Sequence, residues 1–208
     1  MLSLVIFDCD GVLFDSWRAN VAYYNAVLQE LGQPPLDPEW SRRAHFMASS
    51  QLFDVLFASD LEQARRAREI ARTVDYAPFY ELMQPAPDLA LLLGDLKGRY
   101  RLAMASNRGK TVPEIMHRFG LDAFLELAVG VLDVARPKPF PDMIEKCLVH
   151  FGVPAAETVY VGDAESDLAA ARAAGVRFLA VGEQDWAPEG IRHLQQLPQR
   201  LREWAESE

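Results

Sequence analysis

Short apolar runs alternate with longer stretches of helical periodicity over most of this chain. Residues 2–7, 101–105, 127–131, 158–161 and 177–181 are brief and almost wholly apolar, the pattern of strands buried on both faces. Helices are predicted between them, at residues 88–96, 112–119, 141–151 and 166–174. Gly120, Gly152 and Gly175 follow the last three, where a glycine cap ends a helix. The alternation predicts an α/β fold, a Rossmann-like parallel sheet flanked by helices.

One segment departs from the alternation. Between Ser16 and Met83 no run reads as a strand. Val21, Tyr24, Val27, Leu28 and Leu31 recur at helical spacing, as do Ala64, Ala67, Ile70, Ala71 and Val74. Pro34-Pro35 interrupts this pattern and Pro85-Ala86-Pro87 closes it. The expectation is a small all-helical cap subdomain, residues 16–86, inserted after the first strand of a core made of residues 1–15 and 87–208. An insert there can cover a site at the strand ends, where open α/β sheets bind ligands.

Composition narrows the partners. A chain of 208 residues suits one core with a small lobe. The formal charge of −9 argues against nucleic acid, which wants a basic face. It also means that an anionic substrate must meet a local cluster of cations or a metal. No apolar run reaches the roughly 20 residues that cross a bilayer. The opening run has no basic residue before it and ends at Asp8, so it reads as a buried strand rather than a signal peptide. Cys9 and Cys147 show neither metal-ligand spacing nor a framework of pairs, and a reducing cytoplasm is the expected location.

Four places carry candidate chemistry, each with a plainer reading beside it. Asp8 and Asp10 leave the first strand two residues apart, hence on one face if the chain stays extended. Such carboxylates repel unless a proton or cation lies between them, and Mg²⁺, a hard oxygen-seeking ion, suits that position. The plainer reading is a solvated acidic turn closed by Gly11. Asp163 and Asp167 follow the fourth strand and can complete a metal site, or Asp163 and Ser166 can simply cap the next helix. Ser106 and Asn107 follow the second strand, where hydroxyl, amide and turn N–H groups can grip phosphate oxygens. Ser-Asn-x-Gly is also ordinary turn chemistry. Lys138 stands between two prolines on a stiff loop, as a pre-placed ammonium or as a surface lysine on a kinked connector. All four follow predicted strands, so all converge on one edge of the sheet.

With these motifs in this order, the chain resembles the haloacid dehalogenase superfamily, in its branch with a helical cap after the first strand. The resemblance spans nearly the whole chain: Asp8-x-Asp10-Gly11-Val12-Leu13-x-Asp15-Ser16, then Ser106-Asn107, Lys138, and Gly162-Asp163-x-x-x-Asp167. It is most similar to phosphoglycolate-phosphatase-like members. The resemblance implies a Mg²⁺-dependent phosphatase in which Asp8 is the nucleophile and forms an aspartyl-phosphate, and Asp10 serves as acid and then base. It implies metal ligands from the Asp8 side chain, the Asp10 carbonyl and Asp163, with Asp167 either supporting the metal or orienting Lys138. Ser106, the Asn107 amide and Lys138 would hold the phosphoryl group. Cys9 is expected to point into the core.

Dehalogenases of this family lack the second acid, since halide leaves without a proton, so Asp10 favours ester cleavage. Phosphonate-cleaving relatives need a cap lysine, and Ser16 to Met83 contains none. Mutases of this branch carry a cap histidine shortly after the first motif and a cap lysine; here Asn20 stands near the histidine position and the lysine is absent. Two alternatives stay open: β-phosphoglucomutase-like phosphoryl transfer, and a non-catalytic phospho-ligand-binding or receiver-type protein. In the cap, Arg42, Arg43 and His45 can meet the far end of a substrate, above all a carboxylate, or form a solvated basic edge. Arg65, Arg66, Arg68 and Arg72 are expected on a wet helix face, and Trp17, Tyr23 and Tyr24 in cap packing. The expected partner is a small phosphorylated metabolite, with no nucleic acid and no membrane. Monomer and homodimer stay equally open.

Overall fold

In chain order the computed structural model contains β1 (Leu4–Phe7), β2 (Phe14–Asp15), α1 (Trp17–Glu30), α2 (Pro38–Ala44), α3 (Ser49–Leu56) and α4 (Leu61–Thr73). There follow β3 (Gln84–Pro85), α5 (Leu89–Lys97), β4 (Arg101–Ala105), α6 (Val112–Arg118), β5 (Leu127–Val129) and α7 (Asp142–Phe151). The chain finishes with β6 (Thr158–Gly162), α8 (Glu165–Ala174), β7 (Arg177–Val181), β8 (Gly190–Ile191) and α9 (Leu197–Ser207). The structure describes residues 2–44, 47 and 49–207. These fall into two compact units, Met1–Asp15 with Pro85–Glu208, and Ser16–Gln84.

The first unit is an α/β layer structure. Among the described residues its sheet has six strands in the order β5-β4-β1-β6-β7-β8, every neighbouring pair parallel. From β1 the chain builds outward through β4 and β5, then returns to β6 on the other side of β1. That reversal places a switch point at the carboxyl edge beside β1, where such sheets bind ligands. Register levels the strand ends: Phe7 pairs with Met104 on one side and Val161 on the other. Asp8, Ser106 and Asp163 therefore leave three adjacent strands at nearly one height.

The four residues of β1 are wholly buried, as a central parallel strand requires. One sheet face packs Leu4, Ile6, Ala103, Ala105, Tyr160 and Phe178 against Met143, Ile144 and Cys147 of α7 and Leu168 and Ala171 of α8. Gly152 and Gly175 end α7 and α8 in the left-handed region, at φ 65° and 70°, where glycine carries no Cβ penalty.

The expected strand at 127–131 stops at Val129. The N–H of Val131 turns to the carbonyl of Arg108 (2.9 Å) instead of continuing the ladder. The sequence reading did not predict β2, β3 and β8, each only two residues long, or α9.

The second unit is helical. α1 stops at Glu30, ahead of Pro34-Pro35. Tyr23 and Tyr24 are buried, and Tyr23 packs against Tyr24, Tyr76 and Phe79 with ring centroids 5.2–6.0 Å apart. The Tyr23 hydroxyl donates to the Ala71 carbonyl (2.6 Å) and the Trp17 indole to that of Ser41 (3.1 Å). All three aromatic residues are thus structural within this unit. Arg65 lies on the exposed face of α4 between Glu62 and Glu69, and Arg68 pairs with Asp54.

Candidate active site

Asp8 extends β1 by one residue, its N–H donating to the Val161 carbonyl (2.9 Å). The chain then turns back. The N–H groups of Leu13 and Phe14 both reach the Cys9 carbonyl, and the N–H of Gly11 reaches that of Phe14 (2.8 Å). Gly11 sits at φ 73°, and a Cβ there would collide with the Asp163 carboxylate. Glycine is required at this position by both backbone and neighbour. Cys9 is buried, and burial pushes its thiol well up, so it offers no thiolate.

Lys138 arrives on the loop between β5 and α7 and is only 2% exposed. Its ammonium meets Asp167 Oδ1 at 2.7 Å, Asp8 Oδ1 at 2.9 Å and the Tyr160 hydroxyl at 2.9 Å. Three N–H donors thus face three oxygens. The single proton of Tyr160 goes to the Ala105 carbonyl (2.7 Å), which leaves its lone pairs for the ammonium. Burial alone would lower the Lys138 pKa, but Asp167 and Asp8 outweigh it and hold the group well above its usual range. The peptide of Lys138 is held as firmly. Its N–H donates to Asn107 Oδ1 (3.0 Å), and Asn107 Nδ2 donates to its carbonyl (3.2 Å).

The acids divide into two kinds. Asp167 is fully buried and engaged at both oxygens. Oδ1 takes the ammonium, and Oδ2 accepts the N–H groups of Asp163 and Ala164, both at 3.1 Å, at the start of α8. Gly162 admits this carboxylate, since a Cβ there would lie 2.5 Å from Asp167 Oδ2. Asp8 and Asp163 are less well compensated. Burial, followed by repulsion from Asp167 and Asp10, raises Asp8 to about 7 against the pull of Lys138. Burial and the charges of Asp8 and Asp167 push Asp163 well above the usual carboxylate range.

One oxygen from each of Asp8, Asp163 and Asp167 lies within 4.8 Å of the others. Buried carboxylates so placed hold protons or a cation. A hard divalent ion between Asp8 and Asp163 fits this donor set, with Asp167 as the support already committed elsewhere.

Ser106 is buried beside them, its N–H on the Val129 carbonyl (3.0 Å) and its Oγ 3.3 Å from the N–H of Arg108. Asp10 carries a fork-to-fork pair with Arg108: Nε donates to Oδ2 (2.8 Å) and Nη2 to Oδ1 (2.6 Å). Arg108 is 8% exposed.

The structure thus brings Asp8, Asp10, Ser106, Asn107, Lys138, Asp163 and Asp167 together at one sheet edge. Asn107 uses its carboxamide on the Lys138 peptide rather than turning it outward. Arg108 and Tyr160 were missed by sequence reasoning. Arg108 sits in a turn, where arginines are usually solvated, and Tyr160 reads as a strand residue until its hydroxyl is seen beneath the lysine. Arg42 and Arg43 belong to the helical unit, exposed in the last turn of α2, with Arg43 stacked 4.2 Å above the Trp40 ring. His45 lies outside the described residues.

The model of the haloacid dehalogenase-like hydrolases matches residues 5–181. The chain belongs to this family. It is therefore a hydrolase of the haloacid dehalogenase type. A relative in Dickeya dadantii, named "Probable phosphatase IndB", is 31% identical over 189 residues, covering 87% of this chain and 81% of its own. The phosphoglycolate phosphatase of Pseudomonas putida is 29% identical over 186 residues, covering 86% of this chain and 68% of its own. The crystal structure of a HAD-superfamily hydrolase, subfamily IA, from Geobacter sulfurreducens matches with a TM-score of 0.77 and 32% identity, over 96% of both chains.

Proposed function

We propose that this hydrolase cleaves small phosphate monoesters through an aspartyl-phosphate on Asp8, with Mg²⁺ as its metal. The observation that carries the reading is the shared position of Asp8: one oxygen on the buried ammonium of Lys138, beside Asp163, with a second acid two residues on. Two names among its relatives point the same way, one a phosphatase and one a phosphoglycolate phosphatase.

In this reading an Asp8 oxygen attacks phosphorus and the bond to the ester oxygen breaks, while Asp10 gives that oxygen a proton. Water then attacks phosphorus, Asp10 takes the water's proton, and the bond to Asp8 breaks. Lys138 and Ser106, with the N–H of Asn107, bind the phosphoryl oxygens. Asp8, Asp163 and the Asp10 carbonyl hold Mg²⁺, and Asp167 fixes Lys138 and the turn that carries Asp163. Bound there, Mg²⁺ supplies positive charge between two anionic reactants. We assign Arg42 and Arg43 to the far end of the substrate, a phosphoglycolate-like carboxylate or a sugar. The absence of lysine from residues 16–83 supports hydrolysis over phosphoryl transfer to a second sugar position.

The test is turnover of an aryl phosphate and of a metabolite panel, with Mg²⁺ and with EDTA, by the wild type and by Asp8→Asn. Mg²⁺-dependent turnover that vanishes in the variant supports the reading. A wild type without turnover, or a variant that keeps it, overturns it. Arg42→Ala and Arg43→Ala should weaken carboxylated substrates selectively.

A further inference from the structure

The pair between Arg108 and Asp10 is a built feature. A planar guanidinium facing a carboxylate through two N–H groups fixes the direction of that carboxylate as well as its charge. Arg108 is itself fixed. Its carbonyl accepts the N–H of Val131 (2.9 Å) and its own N–H lies 3.3 Å from Ser106 Oγ. Gly130 lets the two loops close, since a Cβ there would stand 2.6 Å from the Arg108 carbonyl. The loops after β4 and β5 are thus locked together, and their product is a nearly buried guanidinium aimed at Asp10.

We propose that Arg108 is a positioning residue for the reaction, aiming the Asp10 carboxyl at the atom whose proton it handles. This rests on the phosphatase reading above. The reason is geometric. Asp10 has two single-bond torsions, and a catalytic proton transfer needs its oxygen within about 2.6–3.2 Å of the reacting atom. An unrestrained Asp10 on a turn would sample several rotamers. Held by one N–H at each oxygen, it samples one, and each oxygen has a second lone pair to carry the proton it gives or takes.

The consequence is selective. Phosphoenzyme formation from an aryl ester expels a phenolate that needs little help from an acid. An alkyl ester expels an alkoxide that needs a proton, and breakdown of the phosphoenzyme needs a base for water with either substrate. Loss of Arg108 should therefore spare the first step with an aryl ester, and slow the alkyl reaction and the common second step.

The experiment is rapid mixing of Arg108→Met with p-nitrophenyl phosphate, beside steady-state turnover of an alkyl phosphate such as glycerol phosphate. The expected result is a nitrophenolate burst whose rate stays within a few-fold of wild type. Steady-state kcat for both substrates should fall by about 10²-fold, the low end for lost general acid–base catalysis. In an Asp10→Asn background the same change should cost under about 3-fold, because the group it aims is already gone. An unchanged kcat overturns the proposal. So does an equal loss in burst and steady state that multiplies with the Asp10→Asn loss, the mark of a merely structural role. Should Arg108→Met fail to fold, Arg108→Lys keeps the charge without the fork. Loss confined to the alkyl reaction and the second step supports the proposal, and wild-type behaviour overturns it. A wild type without Mg²⁺-dependent turnover defeats the phosphatase reading instead, and that outcome is distinct from these.

Discussion

Asn107 and Lys138 are joined twice across a gap of 31 residues, side-chain oxygen to N–H and side-chain amide to carbonyl. The pairing copies one rung of a β-ladder with a side chain in place of a strand. It couples the loop after β4 to the one that delivers the ammonium, so the lysine is held at its peptide by one neighbour and at its tip by three.

Asn107→Asp keeps the acceptor but sets a carboxylate against the Lys138 carbonyl. It should lower kcat by on the order of 10-fold and unsettle the fold by about 1–3 kcal/mol, the cost of an unpaired buried acceptor. Steady-state kinetics and urea denaturation read the two effects, and Asn107→Ser should fall between the variant and wild type in kcat.

Tyr160→Phe removes one hydroxyl and with it two hydrogen bonds, the donor to Ala105 and the acceptor for Lys138. With the ring still packed, about 1–3 kcal/mol should be lost. A kcat reduced more than KM is altered would locate the effect at the ammonium rather than in substrate binding.

Lys138→Met should be the most damaging of the set. It leaves Asp8 and Asp167 facing one another in a buried site, and removing one partner of a buried pair costs about 3–5 kcal/mol. Activity should be lost entirely, and added Mg²⁺ should raise the melting temperature of the folded fraction by partly replacing the missing charge.

Acidity should run against the usual trend in the metal-free protein. Asp8 is raised to about 7 when folded, from near 3.8 in an open chain. Across that window the folded state binds more protons than the unfolded one, so stability falls as pH rises. The contribution is whole below the unfolded pKa and gone above the folded one. With EDTA the melting temperature should therefore drop from pH 5 to pH 8. Saturating Mg²⁺ should reverse the trend, because protons compete with the metal at low pH. An EDTA-treated protein more stable at pH 8 than at pH 5 would contradict the assignment.

The sheet was legible because its strands are continuous apolar runs bounded by glycine and acid. β8 was not, since Gly190-Ile191 is too short to carry a pattern and pairs only through β7. The site was legible wherever a residue type announced chemistry after a strand, as at Asp8, Ser106, Lys138 and Asp163. Arg108 and Tyr160 announce nothing locally. Their roles depend on a partner 98 residues away in one case and 22 in the other. Such pairings exist only once the loops have closed, and no local spacing encodes them.

Asp167 faces two ways. One oxygen secures Lys138 and the other secures the first amides of α8. The start of that helix and the ammonium therefore share a single tether, and slackening either slackens both. Amide exchange at Asp163 and Ala164 becomes a remote gauge of the lysine. Any ligand that draws Lys138 toward itself should be visible as a change in how often the helix opens its first turn.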